Sequence, residues 1–82
     1  MPFFVYLLEC SNESLYCGYT NDLKARVELH NQGKASKYVR ARLPAKLVFF
    51  EECSSRKKAL KREAEIKKMK RKEKLGLVLR KG

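Results

Sequence analysis

The chain has 82 residues, with 20 Lys or Arg against 9 Asp or Glu and a net charge of +11 when its one histidine is neutral. That length makes a single domain, 1–82, which buries only roughly 60–65% of its unfolded surface, so a deep enclosed site is excluded. The longest wholly apolar run, Phe3 to Leu8, is far short of the roughly 20 residues of a bilayer span, and the expectation is a soluble, untargeted, cytoplasmic protein with no membrane partner.

Phe3 to Cys10 is apolar and β-branched or aromatic up to Glu9. Ser11-Asn12-Glu13-Ser14 supplies turn chemistry and Leu15 to Thr20 resumes a strand-like run, so the segment reads as a β-hairpin. In a regular antiparallel hairpin, facing residues have numbers of constant sum, and Tyr6 and Tyr16 share a face only when that sum is even. A four-residue turn makes it odd, so convergence of the two rings requires a three- or five-residue loop, or a bulge. Gly18 inside the second strand marks close approach of a backbone or a ligand.

Thr20, Asn21 or Asp22 can cap a helix over 22–31, with Gly33 just past its end where a left-handed residue is wanted. Its stripe Leu23, Arg26, Val27 and His30 faces the sheet. An inward Arg26 needs an acceptor for its hydrogen bonds, whether carboxylate, carbonyl or bound phosphate, or else keeps its head in water at the stripe's edge. A short helical turn is expected around Ser36 to Ala41, before Pro44. Lys46 to Glu51, with Leu47-Val48-Phe49-Phe50, reads as a third strand buried on both faces.

Ser54 or Ser55 then caps a long basic helix running to about Lys74 and ended by Gly76, after which Leu77-Val78-Leu79 either docks on the sheet or frays. Viewed down the axis of that helix, Leu60 bounds one side of an apolar arc and Ala59 and Ile66 the other, and Glu63 falls between them. Glu63 therefore lies within the apolar arc, where pairing with Arg26 is one reading. Met69 projects outside the arc and does not fit it. The element order is β-β-α-β-α, an α+β fold with a three-stranded sheet flanked by helices.

Cys10, Cys17 and Cys53 show no C-x-x-C spacing. They read as reduced, buried thiols rather than a disulfide framework or, with His30, a zinc site. Residues 1–55 hold 7 Lys or Arg against 6 Asp or Glu, whereas residues 56–82 hold 13 against 3. Positive charge this concentrated favours a polyanion, nucleic acid first, over a merely solvated face or a helix lying on anionic lipid.

The strings Val5-Tyr6-Leu7-Leu8-Glu9-Cys10 and Leu15-Tyr16-Cys17-Gly18-Tyr19-Thr20-Asn21-Asp22-Leu23 are followed by Arg26 with His30, Gly33-Lys34 leading to Tyr38, and Ala59-Leu60 before Glu63. In this order the chain resembles a GIY-YIG nuclease domain, most closely the small stand-alone members of the YhbQ/YazA type, from about Phe4 to Lys74. The resemblance implies a three-stranded antiparallel sheet and metal-dependent cleavage of phosphodiester bonds in DNA, ahead of RNA, with DNA repair as the setting. It implies Tyr6 and Tyr16 as the signature tyrosines, Tyr16 as general base or its relay, Arg26 on the scissile phosphate and His30 orienting or relaying a proton. Glu63 would hold one divalent metal ion, Mg²⁺ ahead of Mn²⁺.

Lys34, Lys37, Arg40, Lys67, Lys68, Arg71 and Lys72 are the expected nucleic-acid contacts, and a monomer is the expected state. Two positions depart from the excision-repair member of the family: Tyr19 stands in place of a lysine, and no asparagine follows Glu63. With no separate DNA-binding domain expected, affinity falls to the basic helix and selectivity is low. The alternative from a different class is a nucleic-acid-binding module with weak or no catalysis.

Overall fold

The pleat of one hairpin sets the two layers of the molecule. In the computed structural model, which describes residues 2–81 and side chains as far as Val78, β1 (Phe3–Glu9) pairs antiparallel with β2 (Leu15–Thr20). Facing residues, from Phe4 and Thr20 to Glu9 and Leu15, have numbers summing to 24. The sum is even because the loop is three residues, 11–13. It is closed by the Cys10 N–H to the Ser14 carbonyl and the Glu13 N–H to the Cys10 carbonyl, each 2.9 Å. Glu13 takes a left-handed φ of 67°, which costs a non-glycine residue about 1–2 kcal/mol. The Asn12 side chain offsets part of this by accepting from the Ser14 hydroxyl at 2.7 Å.

β3 (Lys46–Cys53) pairs antiparallel with the other side of β1, with a register shift between Leu7 and Leu8, and the strand order is β2-β1-β3. The continuously buried strand is therefore β1, whose Val5, Tyr6, Leu7 and Leu8 are all 0–1% exposed. This corrects the expectation for β3, where Phe49 is buried but Phe50 is 45% exposed. An outer strand lies beyond the middle of the covering helices, so its apolar run is only half used.

One sheet face presents Val5, Leu7, Cys17, Phe49 and Cys53 to Ala59 and Ile66 of α3 (Arg56–Lys67) and to Leu77 and Val78 of α4 (Arg71–Lys81). The opposite face presents Tyr6, Leu8 and Cys10 to Leu23 and Val27 of α1 (Leu23–Asn31) and Val39 of α2 (Lys37–Arg40). Each fully buried Leu, Ile or Val contributes about 1.5–3 kcal/mol, so each thin layer rests on a handful of residues. All three cysteines are buried free thiols.

α1 starts where expected, with the Asp22 carboxylate accepting from the Ala25 N–H at 3.1 Å. It ends at Gly33, whose φ of 77° lets the Lys34 N–H reach the Leu29 carbonyl at 2.9 Å. Asn31, unremarked in the sequence, ties α1 to the start of β3: its amide accepts from the Ala45 N–H at 2.9 Å and donates to the Ala45 carbonyl at 3.0 Å.

The single long basic helix is instead two. α3 stops at Lys68, whose N–H is shared between the Ala64 and Glu65 carbonyls, and α4 restarts beyond Lys70, whose N–H donates to the Glu73 carboxylate at 2.9 Å. The break lets Met69 pack against the core, which its direction on a continuous helix forbids. Gly76 does not end the helix but sits inside α4. Leu77 and Val78 dock on the sheet as one of the two readings had it, while the Leu79 side chain lies outside the described residues. No helix among the described residues is long and apolar enough to cross a membrane.

Candidate active site

Hairpin parity places Tyr6, Tyr16 and Gly18 on the face covered by α1. Tyr6 lies opposite Gly18, and its ring leans over that glycine: a Cβ at position 18 would stand 2.5 Å from the Tyr6 Oη and 2.7 Å from its Cζ. The close approach marked by Gly18 is thus made by a side chain, neither a backbone nor a ligand. Passing over Gly18, the Tyr6 hydroxyl reaches His30 of α1, with 2.9 Å between Oη and Nε2. Both side chains are 1% exposed.

Burial, reinforced by the charge of neighbouring Tyr16 and opposed by the Arg26 guanidinium, pushes the Tyr6 phenol up to about 12. Burial first, and Arg26 second, lower the pKa of His30 from its usual 6.5. The pair is accordingly a hydrogen bond between two neutral groups at neutral pH. The His30 Nδ1 is buried with no partner among the described residues, a cost of about 1–3 kcal/mol that a plain core residue would not incur.

Tyr16 packs against the edge of the same imidazole, ring centroids 5.3 Å apart, and lies 6.5 Å from the Tyr6 ring. On its other side it stacks with Tyr38 of α2 at 6.1 Å and 25°. The Arg42 guanidinium covers Tyr38 at 3.8 Å from the ring centroid while donating to the Tyr38 carbonyl at 2.8 Å. Tyr16 is only partly buried, so of these two tyrosines it is the one open to solvent. Arg26 is partly buried and acts on both the Tyr6 hydroxyl and His30 through its charge. It makes no ion pair among the described residues.

Glu63 faces inward, its side chain 16% exposed, but its partner is Lys67 one turn on at 3.5 Å, not Arg26. The reason is the layer order: α3 covers the opposite sheet face, where Glu63 raises the pKa of the Cys17 thiol alongside burial, the larger cause. Cys17 and Cys53 lie on the α3 face and Cys10 on the face that α1 covers, and no group of three His, Cys, Asp or Glu gathers among the described residues.

The two faces meet at the outer edge of β2. A groove of about 320 Å³ runs there, lined by Leu15, Tyr16, Cys17, Tyr38, Lys67 and Lys74. Lys34, Lys37 and Arg40 are exposed on the α1–α2 side, while Lys67, Lys68, Arg71 and Lys72 are exposed around the α3–α4 break. Lys74 lines the groove although its position on one continuous helix gives no hint that it reaches β2. Tyr19 points to the α3 face, where its hydroxyl accepts from Arg56 Nε at 3.3 Å.

Residues 2–75 match the family model described as the GIY-YIG catalytic domain. The UPF0213 protein of Streptococcus agalactiae serotype V is 48% identical over 75 residues, covering 92% of this chain and 85% of that relative. The UPF0213 protein of Staphylococcus aureus strain Mu3 is 49% identical, covering 92% of each. The solution NMR structure of the UPF0213 protein from Bacillus halodurans is similar at a TM-score of 0.64 and 41% identity, over 100% of this chain and 87% of that one.

Proposed function

Because the chain belongs to the GIY-YIG catalytic-domain family, we propose that it is a metal-dependent endonuclease that hydrolyses phosphodiester bonds in DNA. The observation that carries this reading is the convergence of Tyr6, Tyr16 and His30 on one sheet face beside Arg26. The cost of burying that polar group is poorly explained by packing alone.

In this reading Arg26 binds the scissile phosphate and stabilises the negative charge that grows on it. The partly exposed Tyr16 accepts a proton from the attacking water, directly or through a relay. Tyr6, with its raised pKa, stays protonated and orients His30. The buried imidazole holds Tyr16 in place and can take or return a proton.

Glu63 fits a divalent cation as a lone carboxylate. It is mostly buried and of the hard oxygen type that Mg²⁺ accepts from one or two protein groups while keeping several waters, and the ion would take the place of the Lys67 ammonium 3.5 Å away. The ion, when bound, supplies positive charge to the phosphate oxygens.

The second reading, a nucleic-acid-binding module with little catalysis, is favoured by the Glu63–Lys67 pair and by the seat of Glu63 across the sheet from Arg26. Cleavage of duplex and branched DNA, measured with Mg²⁺, with Mn²⁺ and with excess chelator, separates the two. Tyr16→Phe should lower kcat by about 10²–10⁴, and an unchanged rate in that variant removes the base assignment.

A further inference from the structure

Lys74 is a partly buried cation that makes no ion pair among the described residues. It projects from α4 into the groove at the outer edge of β2, where Lys67 of α3 joins it. Both ammonium groups act on the Cys17 thiol, opposing the effects of burial and Glu63, so two helices direct positive charge at one point on the strand. Holding an ammonium partly out of water without a counter-ion is costly, and an anion in the groove relieves it.

The opposite wall is aromatic and pre-set. Tyr38 is held by Arg42 through both its ring and its carbonyl, and Tyr16 stacks against it. A groove with one cationic wall and one aromatic wall suits a nucleotide, which has an anionic phosphate and an apolar sugar and base. Lys67 is 54% exposed and, among the described residues, pairs only with Glu63. A pair of that exposure holds weakly, and Lys67 can turn to the groove when another cation takes the carboxylate.

We propose that this groove is a second phosphate subsite, in which Lys74, joined by Lys67, holds a nucleic-acid backbone phosphate next to the one at Arg26. The strand would then cross the sheet edge over Tyr16, in contact with both layers. The proposal rests on the nuclease reading for the position of the cleaved phosphate.

The test is fluorescence anisotropy in chelator, across a range of salt, with a labelled 12-base-pair DNA duplex and with one of its strands. Wild type is compared with Lys74→Ala, Lys74→Gln and Lys57→Ala, the last removing an equal charge from an exposed position at the start of α3. Both Lys74 variants should weaken binding by about tenfold and reduce the salt slope by about 1 on at least one probe. Lys57→Ala should change affinity less than about twofold.

Equal losses at Lys57 and Lys74 on both probes would show diffuse attraction and overturn the subsite. A selective Lys74 effect in a protein that never cuts DNA would leave the subsite standing and remove the nuclease reading. Cleavage without Lys74 selectivity would remove the subsite alone.

Discussion

Gly18→Ala is a one-carbon change that strikes the centre of the proposed site. The added Cβ would sit 2.5 Å from the Tyr6 Oη and 2.7 Å from its Cζ, and a stiff ring that is 1% exposed has little room to retreat. Overpacking of this kind costs about 1–3 kcal/mol. Displacing the hydroxyl from His30 costs about 1–3 more, and relief of glycine's entropy in a strand returns about 0.5–1. The net loss runs from about 1 to 5 kcal/mol, and its midpoint of about 3 is a fall in Tm of about 12–24 °C for a chain of this size.

Thermal unfolding followed by circular dichroism measures it. Adding Tyr6→Phe removes the Oη but leaves the Cζ conflict, so the double variant should be more stable than the sum of the single losses allows. A Tm within about 3 °C of wild type, or strictly additive losses, would refute the idea that Gly18 exists to seat Tyr6.

Glu63→Gln should cost less than about 1 kcal/mol because its partner Lys67 is 54% exposed. Cleavage should fall by orders of magnitude while DNA affinity holds, and normal cutting by the variant would end the metal assignment. Because the folded-state pKa of His30 lies below its unfolded value, its contribution to stability is full above about pH 6.5 and is lost as pH falls towards the folded value. Urea titrations between pH 5 and 7 should therefore show a loss that His30→Asn abolishes. Tyr6, pushed up to about 12, has the opposite sign: its contribution is complete below about pH 10 and is lost as pH rises towards 12, and tyrosinate absorbance should show one ring titrating late. Reversing Lys67, Lys68, Arg71 and Lys72 to glutamate should abolish DNA binding with the fold intact, as read by anisotropy and circular dichroism.

The parts of the fold legible in the sequence are those governed by local chemistry. The Asp22 cap, the left-handed Gly33, the α1 stripe and the need for a hairpin loop of odd length each follow from a few neighbouring residues. So does the inward aim of His30 and Glu63, since direction around a helix is a local property. Which layer each residue joins is not local. Arg26 and Glu63 both point at the sheet, and only the crossing of α1 and α3 on opposite faces separates them. The outer position of β3 was hidden because Phe3–Leu8 and Leu47–Phe50 are equally apolar. The break after α3 did leave a trace in the misplaced direction of Met69, which signalled a change of helix rather than an imperfect stripe.

The three-residue loop at 11–13 has a consequence for how this chain can tolerate change. Exposed hairpin tips ordinarily accept insertions freely. Here a one-residue insertion that propagates into the pairing would exchange Tyr16, Gly18 and Thr20 for Leu15, Cys17 and Tyr19 in front of His30. A two-residue insertion would restore the alternation but slide Gly18 out from under Tyr6. Loop variants that keep activity should therefore absorb every added residue outside the ladder, so the most exposed stretch of the hairpin is free in composition but constrained in count.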